Sequence, residues 1–408
     1  MTTPRILAID DDEMVLNYLQ RMLGQHYQLI LCGEPQVAAQ IAKVELPDLI
    51  LCDIDMPEMD GGAVLAKLGA DPSTAKIPFV YLTAMVSPSE VTALDGVEDF
   101  SLSPDGNTLL VRYSGSYLPP QAATVGVADG ATIKLTDTRT PEFKARNWIA
   151  PEFVQVPSKH GAGKIWAKFY KPANYEAGKK YPIVMFVHGA GYLQNVHAHY
   201  PAYFREQMFN NMLVQKGYIV LDMDYRASEG YGRDWRTAIY RQMGHPELED
   251  YLDGLDWLVE NQQGDRAQVG IYGGSYGGFM SFMALFRAPE AFKAGAALRP
   301  VSDWTSYNHE YTSNILNTPQ LDAEAYKISS PIEYVENLRG NLLISHGMMD
   351  DNVFYQDSVR LSQRLIELKK DKWEMASYPL ERHGYVHPES WYDQYRRIYE
   401  LFERTLKQ

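Results

Sequence analysis

Ser275 lies in a pattern that is typical of a nucleophilic serine. It occupies the centre of GGSYG, residues 273–277, between the apolar runs VGIY and FMSFMALF. Flanking glycines allow the sharp turn from a strand into a helix that leaves a serine hydroxyl exposed above a sheet. Because a serine hydroxyl is a weak nucleophile at neutral pH, it requires an imidazole base and an acid that orients this base. The pattern therefore predicts acyl transfer at Ser275.

Candidates for the acid and the base follow Ser275 along the chain. Asp350 comes after the apolar run LLISHGMM, and His383 lies in the loop after the next run, within WEMASYPLERHG. In α/β-hydrolases the chain order is serine, then aspartate or glutamate, then histidine. We therefore expect Asp350 to orient His383 as the general base. Asp351 is a second candidate for the acid.

A second group of residues that could carry chemistry consists of carboxylates in the first ninety residues. Asp10 and Asp11 follow the run ILAI, Asp53 follows the second LILC run, and Thr83 follows FVYL. The carboxyl ends of parallel strands meet at one sheet edge, where these side chains would converge. Three carboxylates repel one another unless a cation neutralises them, and Mg²⁺ prefers oxygen ligands of this kind. The pattern predicts a phosphoacceptor site that can hold Mg²⁺. Helix capping by the acidic run 10–12 is the simpler alternative.

Both groups require α/β architecture to bring their members together. Before residue 90, short apolar runs alternate with amphipathic stretches, and the runs PIVMFVHG, YIVLDMDY, VGIYGGSYGG and LLISHGMMDD alternate with helical stretches after residue 151. Such alternation predicts doubly wound α/β sheets. Between them, DFSLSPDGNTLLVRY has period-two alternation around an Asp-Gly turn, which predicts a β-hairpin. We expect an α/β domain over 1–92, a β-rich segment over 93–150 and a larger α/β domain over 151–408.

Composition excludes several classes of function. The chain has 408 residues, 45% of them hydrophobic, with 38 Lys and Arg against 52 Asp and Glu, for a formal net charge of −14. The apolar content predicts a folded protein, and the acidic balance argues against nucleic acid or an anionic membrane as a partner. Two cysteines are too few for a disulfide framework. The sequence contains no run of about 18 apolar residues and no signal-peptide pattern at its start, so we expect a cytoplasmic protein.

The N-terminal segments ILAIDDDE, PDLILCDIDMPEMDGG and IPFVYLTA resemble the receiver domain of response regulators. The resemblance covers residues 5 to about 90. It implies Asp53 as the phosphoacceptor, Asp10 and Asp11 as further Mg²⁺ ligands, Thr83 as the switch hydroxyl, and a histidine kinase as the phosphodonor. A receiver also has a fifth strand that ends in a Lys-Pro pair, and the chain after Thr83 supplies no such pair. We therefore expect a truncated receiver-like domain.

The segments DYRASEGYGRDWR, GIYGGSYGGFMS, HGMMDDNVFYQDS and YPLERHGYVHPESW resemble the peptidase domain of the prolyl oligopeptidase family, dipeptidyl-peptidase branch. This resemblance runs from about residue 97 to the C-terminus. It implies a serine peptidase with the nucleophile, acid and base named above, a peptide substrate and no cofactor for hydrolysis. It also implies Tyr307 and Tyr311 as walls of a small pocket for proline or alanine before the scissile bond. Asn352 would bind the substrate carbonyl there.

Two features depart from the family pattern. Many members have a tyrosine that donates to the oxyanion where this chain has His188. The backbone N–H of Tyr276 can supply one donor, and the loop from His188 through Gly189 to Gly191 can supply the other. Relatives also cover the active site with a complete β-propeller, whereas residues 93–150 resemble about one blade, a propeller remnant without a repeat. The sequence therefore indicates a fusion of a truncated receiver-like domain with a peptidase-like domain that retains a propeller remnant.

Three functions remain as hypotheses. The first is a serine peptidase with a preference for proline or alanine, fused to a phosphoacceptor domain. The second is a phosphorelay signalling protein in which the hydrolase-like region is an effector or binding domain. The third is an esterase that uses the same nucleophile.

Overall fold

The computed structural model describes residues 3–54, 56, 59–82, 94 and 96–407. The chain divides into two compact units, Met1–Ala93 and Leu94–Gln408. Each contains a largely parallel sheet with helical connections, so the α/β prediction is confirmed. Within the described ranges, no helix combines the length and the apolar character that are needed to cross a membrane. Thr83, the predicted switch hydroxyl, lies outside the described residues.

The N-terminal unit is built on a four-stranded parallel sheet of order β2-β1-β3-β4. The strands are β1 (Arg5–Ile9), β2 (Gln28–Cys32), β3 (Leu49–Asp53) and β4 (Phe79–Leu82), and the helices are α1 (Glu13–Leu23), α2 (Ala38–Glu45) and α3 (Gly61–Gly69). The two central strands are nearly continuous apolar runs because both of their faces are buried. In the part of this unit that the structure describes, no fifth strand joins the sheet.

The second unit begins with a four-stranded antiparallel meander. It consists of β5 (Val97–Leu102), β6 (Thr108–Gly115), β7 (Leu118–Gly126) and β8 (Thr132–Lys134), paired in chain order. The hairpin predicted around the Asp-Gly turn is present, and Gly106 has a φ of 73° that favours glycine. The meander contacts the rest of its unit: the backbone N–H of Tyr200 donates to Ser114 Oγ, and Asn211 Nδ2 donates to the Tyr117 hydroxyl.

An eight-stranded sheet of order β16-β15-β14-β13-β11-β12-β10-β9 forms the centre of the second unit. Its strands are β9 (Glu152–Pro157), β10 (Lys164–Tyr170), β11 (Tyr181–Val187), β12 (Ile219–Met223), β13 (Gly264–Gly274), β14 (Ala294–Leu298), β15 (Asn341–Gly347) and β16 (Trp373–Tyr378). The six strands β11 to β16 pair in parallel, and β9 and β10 form an antiparallel edge. The carboxyl ends of the parallel strands thus meet at one edge.

Helices connect these strands. They are α4 (Pro141–Lys144), α5 (Phe204–Gln215), α6 (Arg233–Arg236), α7 (Pro246–Asn261), α8 (Tyr276–Arg287), α9 (His309–Leu316), α10 (Ala323–Ser329), α11 (Gln356–Glu367) and α12 (Pro388–Leu406), with 3₁₀ turns at Trp304–Ser306 and Pro331–Asn337. Residues 276–286 of α8 are all buried, because this helix is apolar around its circumference. The helix that follows Ser275 is therefore anchored in the core.

Candidate active site

The turn between β13 and α8 holds Ser275 in a strained conformation. Its φ is 58° and its ψ is −116°, which is rare for a residue with a side chain. The backbone N–H of Ser275 donates to Leu298 O at 2.8 Å, and its carbonyl accepts from the N–H of Phe279 at 2.9 Å. A β-carbon at Gly273 or Gly277 would overlap the carbonyl oxygen of Val187. Glycine at both positions therefore permits the sharp turn that the pattern predicts.

Asp350 and His383 form a direct hydrogen bond. Asp350 follows β15, His383 follows β16, and the Nδ1 atom of His383 lies 2.8 Å from Asp350 Oδ2. The other carboxylate oxygen accepts the backbone N–H groups of Asn352 and Val353, each at 2.9 Å. These contacts fix the carboxylate, whose side chain is fully buried. A carboxylate at Nδ1 favours the tautomer that keeps Nε2 free to accept a proton.

The charges of this pair suit a base and its orienting acid. Burial alone would raise the pKa of Asp350, but hydrogen bonds from His346 and His383 outweigh burial and hold the pKa well below its usual range. Burial lowers the pKa of His383, against the opposing effect of Asp350, and the nearby Arg299 charge lowers it further. The imidazole is therefore neutral at pH 7, the state that a general base requires.

Ser275 and His383 line the same cavity, whose volume is about 300 Å³. Its lining consists of Ala190, Tyr192, Tyr203, Ser275, Tyr276, Arg299, Val301, Trp304, Tyr307, Tyr311, Asn352, His383 and Gly384. The structure thus brings together the predicted nucleophile, base and pocket residues, with Asp350 behind His383. Of the two predicted candidates for the acid, Asp350 is buried and hydrogen-bonded to His383, whereas Asp351 is exposed.

Aromatic rings form one wall of this cavity. The rings of Tyr307 and Tyr311 meet edge to face with centroids 5.6 Å apart, and both pack on Trp304. The Tyr307 hydroxyl donates to Asn352 Oδ1 at 2.9 Å, which leaves the Asn352 amide N–H groups as donors. This wall therefore offers the cavity an apolar aromatic surface with hydrogen-bond donors beside it.

The predicted oxyanion donors have different surroundings. The His188 ring is fully buried, with Nδ1 at 2.9 Å from Gly189 O and Nε2 at 3.0 Å from Ser228 Oγ, and it is not part of the cavity lining. The backbone N–H of Gly189 donates to the Tyr203 hydroxyl at 2.8 Å. The backbone N–H of Tyr276 begins α8, where helical N–H groups lack intrahelical acceptors.

Several lining residues were not among the sequence predictions, and Tyr203 and Arg299 are two of them. Tyr203 directly precedes α5, and its hydroxyl reaches the loop that follows β11. Arg299 directly follows β14, so its position after a central parallel strand could have marked it as a residue of the sheet edge. No short motif surrounds Tyr203, and only the folded chain brings it to the cavity.

In the N-terminal unit, the three predicted carboxylates also converge. Asp10, Asp11 and Asp53 each offer an oxygen, and these atoms all lie within 4.8 Å of one another. Burial and then the charge of Asp53 raise the pKa of Asp10, against a backbone hydrogen bond from Asp12. Asp12 caps α1 by accepting from the N–H of Met14 at 2.7 Å, so capping and clustering occur together. The donor set fits a hard divalent cation.

Comparisons with known proteins match two families along the chain. The family model described as "Prolyl oligopeptidase family" matches residues 203–408, half of the chain, and the model described as "Response regulator receiver domain" matches residues 6–99. Human dipeptidyl peptidase 8 is 30% identical over 332 residues, which are 76% of this chain and 36% of that protein. A probable dipeptidyl-aminopeptidase B of Arthroderma otae is 29% identical over 300 residues, 71% of this chain and 32% of that protein.

A solved structure is similar over most of the chain. The crystal structure of Porphyromonas gingivalis dipeptidyl peptidase 4 has a TM-score of 0.70 at 28% sequence identity, and the match covers 78% of this chain and 44% of that one. The chain thus spans about a third of the length of the curated relatives it matches. Both resemblances read from the sequence are confirmed: the chain belongs to the prolyl oligopeptidase family, with a receiver-domain match ahead of the peptidase region.

Proposed function

We propose that the second unit is a serine peptidase that cleaves after proline or alanine through an acyl-enzyme on Ser275. The observation that carries this proposal is a single cavity that holds Ser275 at a strained strand-to-helix turn and His383 bonded to a buried Asp350. The family match at residues 203–408 supports the same reaction class. The proposal includes domain boundaries at about residues 92 and 150, as predicted from the sequence.

The mechanism uses the side-chain and backbone atoms of the site that are available to react with a substrate. His383 Nε2 accepts the Ser275 hydroxyl proton while Oγ attacks the carbonyl carbon of the scissile bond. The oxyanion is stabilised by the backbone N–H of Tyr276 and by a donor from the loop 188–191. His383 then donates its proton to the leaving nitrogen as the C–N bond breaks. Water repeats these steps on the ester and releases the acid.

The preference for proline or alanine rests on the aromatic wall. The rings of Tyr307, Tyr311 and Trp304 leave room for a flat or short side chain next to Ser275. Asn352 offers amide donors to a substrate carbonyl there. Burying a proline ring on such a surface contributes about 1.5–3 kcal/mol, typical for a small apolar side chain.

Chromogenic substrates test the proposal. We expect release of p-nitroaniline from Gly-Pro-p-nitroanilide and from its N-acetylated form, because the one meander ahead of the hydrolase sheet is a small part of a propeller. A short-chain p-nitrophenyl ester serves as the esterase arm, and Ser275→Ala is the control. Hydrolysis of the ester without the amides would favour an esterase, and amide hydrolysis that persists in Ser275→Ala would contradict the proposal.

A second function is favoured by the carboxylate cluster and the receiver-domain match. We infer that Asp53 accepts a phosphoryl group, and that Asp10, Asp11 and Asp53 would hold Mg²⁺, which supplies charge neutralisation at that site when bound. A histidine kinase is the proposed phosphodonor. Incubation with acetyl phosphate should give an acid-stable, base-labile adduct that Asp53→Asn lacks. An adduct of equal yield in that variant would contradict the assignment.

A further inference from the structure

Arg299 is a buried cation without an anionic partner in the candidate active site. Its residue exposure is 7%, and it lines the cavity together with Ser275 and His383. Its Nη1 atom is buried and has no hydrogen-bond partner. Among the residues that the structure describes, no carboxylate oxygen lies within 4.0 Å of the guanidinium. The side chain instead packs on Gly274 and lies over the Trp391 ring, 5.7 Å from its centroid.

An unpaired guanidinium in this setting is costly. Buried charges in proteins are normally paired or hydrogen-bonded, because the lost hydration has to be replaced. A planar fork of N–H donors matches a carboxylate, which can accept two parallel hydrogen bonds. A ligand carboxylate would therefore satisfy the donors that the protein leaves without acceptors.

The backbone holds this arginine in place. Arg299 has a φ of 42°, in the left-handed region, and its N–H donates to Ser345 O at 2.6 Å. This bond ties the residue after β14 to β15, so that the side chain starts from a fixed point at the sheet edge. A strained backbone that is held by neighbouring strands is a common feature of functional sites.

The position of the charge indicates which part of a substrate it meets. Arg299 lines the cavity together with His383 and Tyr203. Within the described ranges, Arg299 forms no ion pair with Glu206. The aromatic wall of Tyr307 and Tyr311 packs on Trp304 instead. His383 protonates the leaving nitrogen, so the leaving group passes beside the base and beside Arg299.

We propose that Arg299 forms an anion subsite that binds a carboxylate on the leaving-group side of the scissile bond. The inference rests on the proposed peptidase function and adds a substrate class: short peptides in which a carboxylate follows the cleaved bond closely. The carboxylate can be the C-terminus of a one-residue leaving group or an acidic side chain at that residue.

Binding measurements distinguish a C-terminal carboxylate from an acidic side chain as the group that Arg299 binds. Calorimetry would measure the affinity of the Ser275→Ala variant for Ala-Pro-Ala, Ala-Pro-Ala-amide and Ala-Pro-Asp-amide. The same measurements would be made on double variants that combine Ser275→Ala with Arg299→Gln, Arg299→Lys or the exposed Arg364→Gln. We expect the free acid to bind about 10- to 100-fold more tightly than the neutral amide, as for a hydrogen-bonded charge. Arg299→Gln should abolish this ratio, Arg299→Lys should keep part of it, and Arg364→Gln should leave it unchanged. Tight binding of only Ala-Pro-Asp-amide would assign the site to the side chain.

Equal affinities for all three peptides, or an acid-to-amide ratio that survives in Arg299→Gln, would overturn the subsite. Turnover by the unmodified serine enzyme is measured in parallel. The neutral amide should be hydrolysed with kcat within about twofold of the free acid, because the subsite acts on binding. Absence of turnover for every peptide would contradict the proposed peptidase function, whereas the calorimetric ratio would still decide the subsite.

Discussion

The substitution Asp350→Asn should abolish most of the catalytic power while leaving the shape of the site intact. In the wild type, Asp350 Oδ2 faces His383 Nδ1 at 2.8 Å and His346 Nε2 at 3.2 Å, and Oδ1 faces two backbone N–H groups. An asparagine must place its NH₂ group against one of these two sets of donors. If the NH₂ faces His383, the imidazole has to turn its Nδ1 into an acceptor and carry its proton on Nε2, where it cannot accept from Ser275.

The expected magnitude follows from this tautomer change. The same exchange of acid for amide in a serine protease triad lowers kcat by about 10⁴-fold. That factor corresponds to about 5.4 kcal/mol in the free energy of activation, at about 1.36 kcal/mol per tenfold change. The adjacent Asp351→Asn is a matched control, because Asp351 is exposed and does not line the cavity. We expect it to change kcat by less than about twofold, as a surface substitution would.

The assay is steady-state hydrolysis of Gly-Pro-p-nitroanilide at pH 8, with circular dichroism to verify that both variants are folded. A loss near 10⁴-fold in Asp350→Asn and near-normal turnover in Asp351→Asn would support the assignment. The reverse ranking would refute the reasoning and exchange the roles of the two aspartates. A folded Asp350→Asn protein with nearly normal turnover would also refute it.

Three further perturbations address the remaining parts of the site. Tyr203→Phe removes the hydroxyl that accepts the Gly189 N–H and should lower kcat by about 2- to 10-fold with little change in KM; unchanged kcat would show that the contact does not position the loop. Because burial and the Arg299 charge lower the pKa of His383, kcat/KM should fall only as the pH decreases below about 6.5, where the base becomes protonated; an acid limb centred above pH 7 would contradict this. Millimolar Mg²⁺ should raise the unfolding temperature of the N-terminal unit, as any ligand of the folded state does, and Asp53→Asn should abolish the shift; an equal shift in the variant would place the ion elsewhere.

Much of the fold could be predicted from local patterns. The strands β1, β3, β13 and β15 each contain an apolar run that leads into polar residues or glycine, so their positions and the edge at which each sheet carries its site follow from the alternation of elements. The nucleophile turn was predictable because only glycine fits beside the Val187 carbonyl oxygen. The helix α7 begins at Pro246, because proline is well tolerated in the first turn of a helix.

Other parts depend on contacts between distant segments. The last two strands of the meander, β7 and β8, have weak alternation and gain their partners only through β6. Tyr203 reaches the cavity because α5 packs beside the loop after β11, a contact that no local motif encodes. The His188 ring packs in the core against Ser228 and Gly189, while the oxyanion role of the loop 188–191 stays a prediction. Local sequence patterns predict the strand, helix or loop in which a residue lies, whereas tertiary packing determines which groups its side chain contacts.

The central claim is that Ser275 is an activated nucleophile, and fluorophosphonate labelling followed by peptide mass spectrometry tests it most directly. We expect one adduct per chain, located on Ser275, in the native protein. The adduct should be absent in Ser275→Ala and in heat-unfolded protein, since activation depends on His383 and Asp350 in the folded site. Native protein without an adduct on Ser275, or equal labelling of the Ser275→Ala variant, would contradict the account.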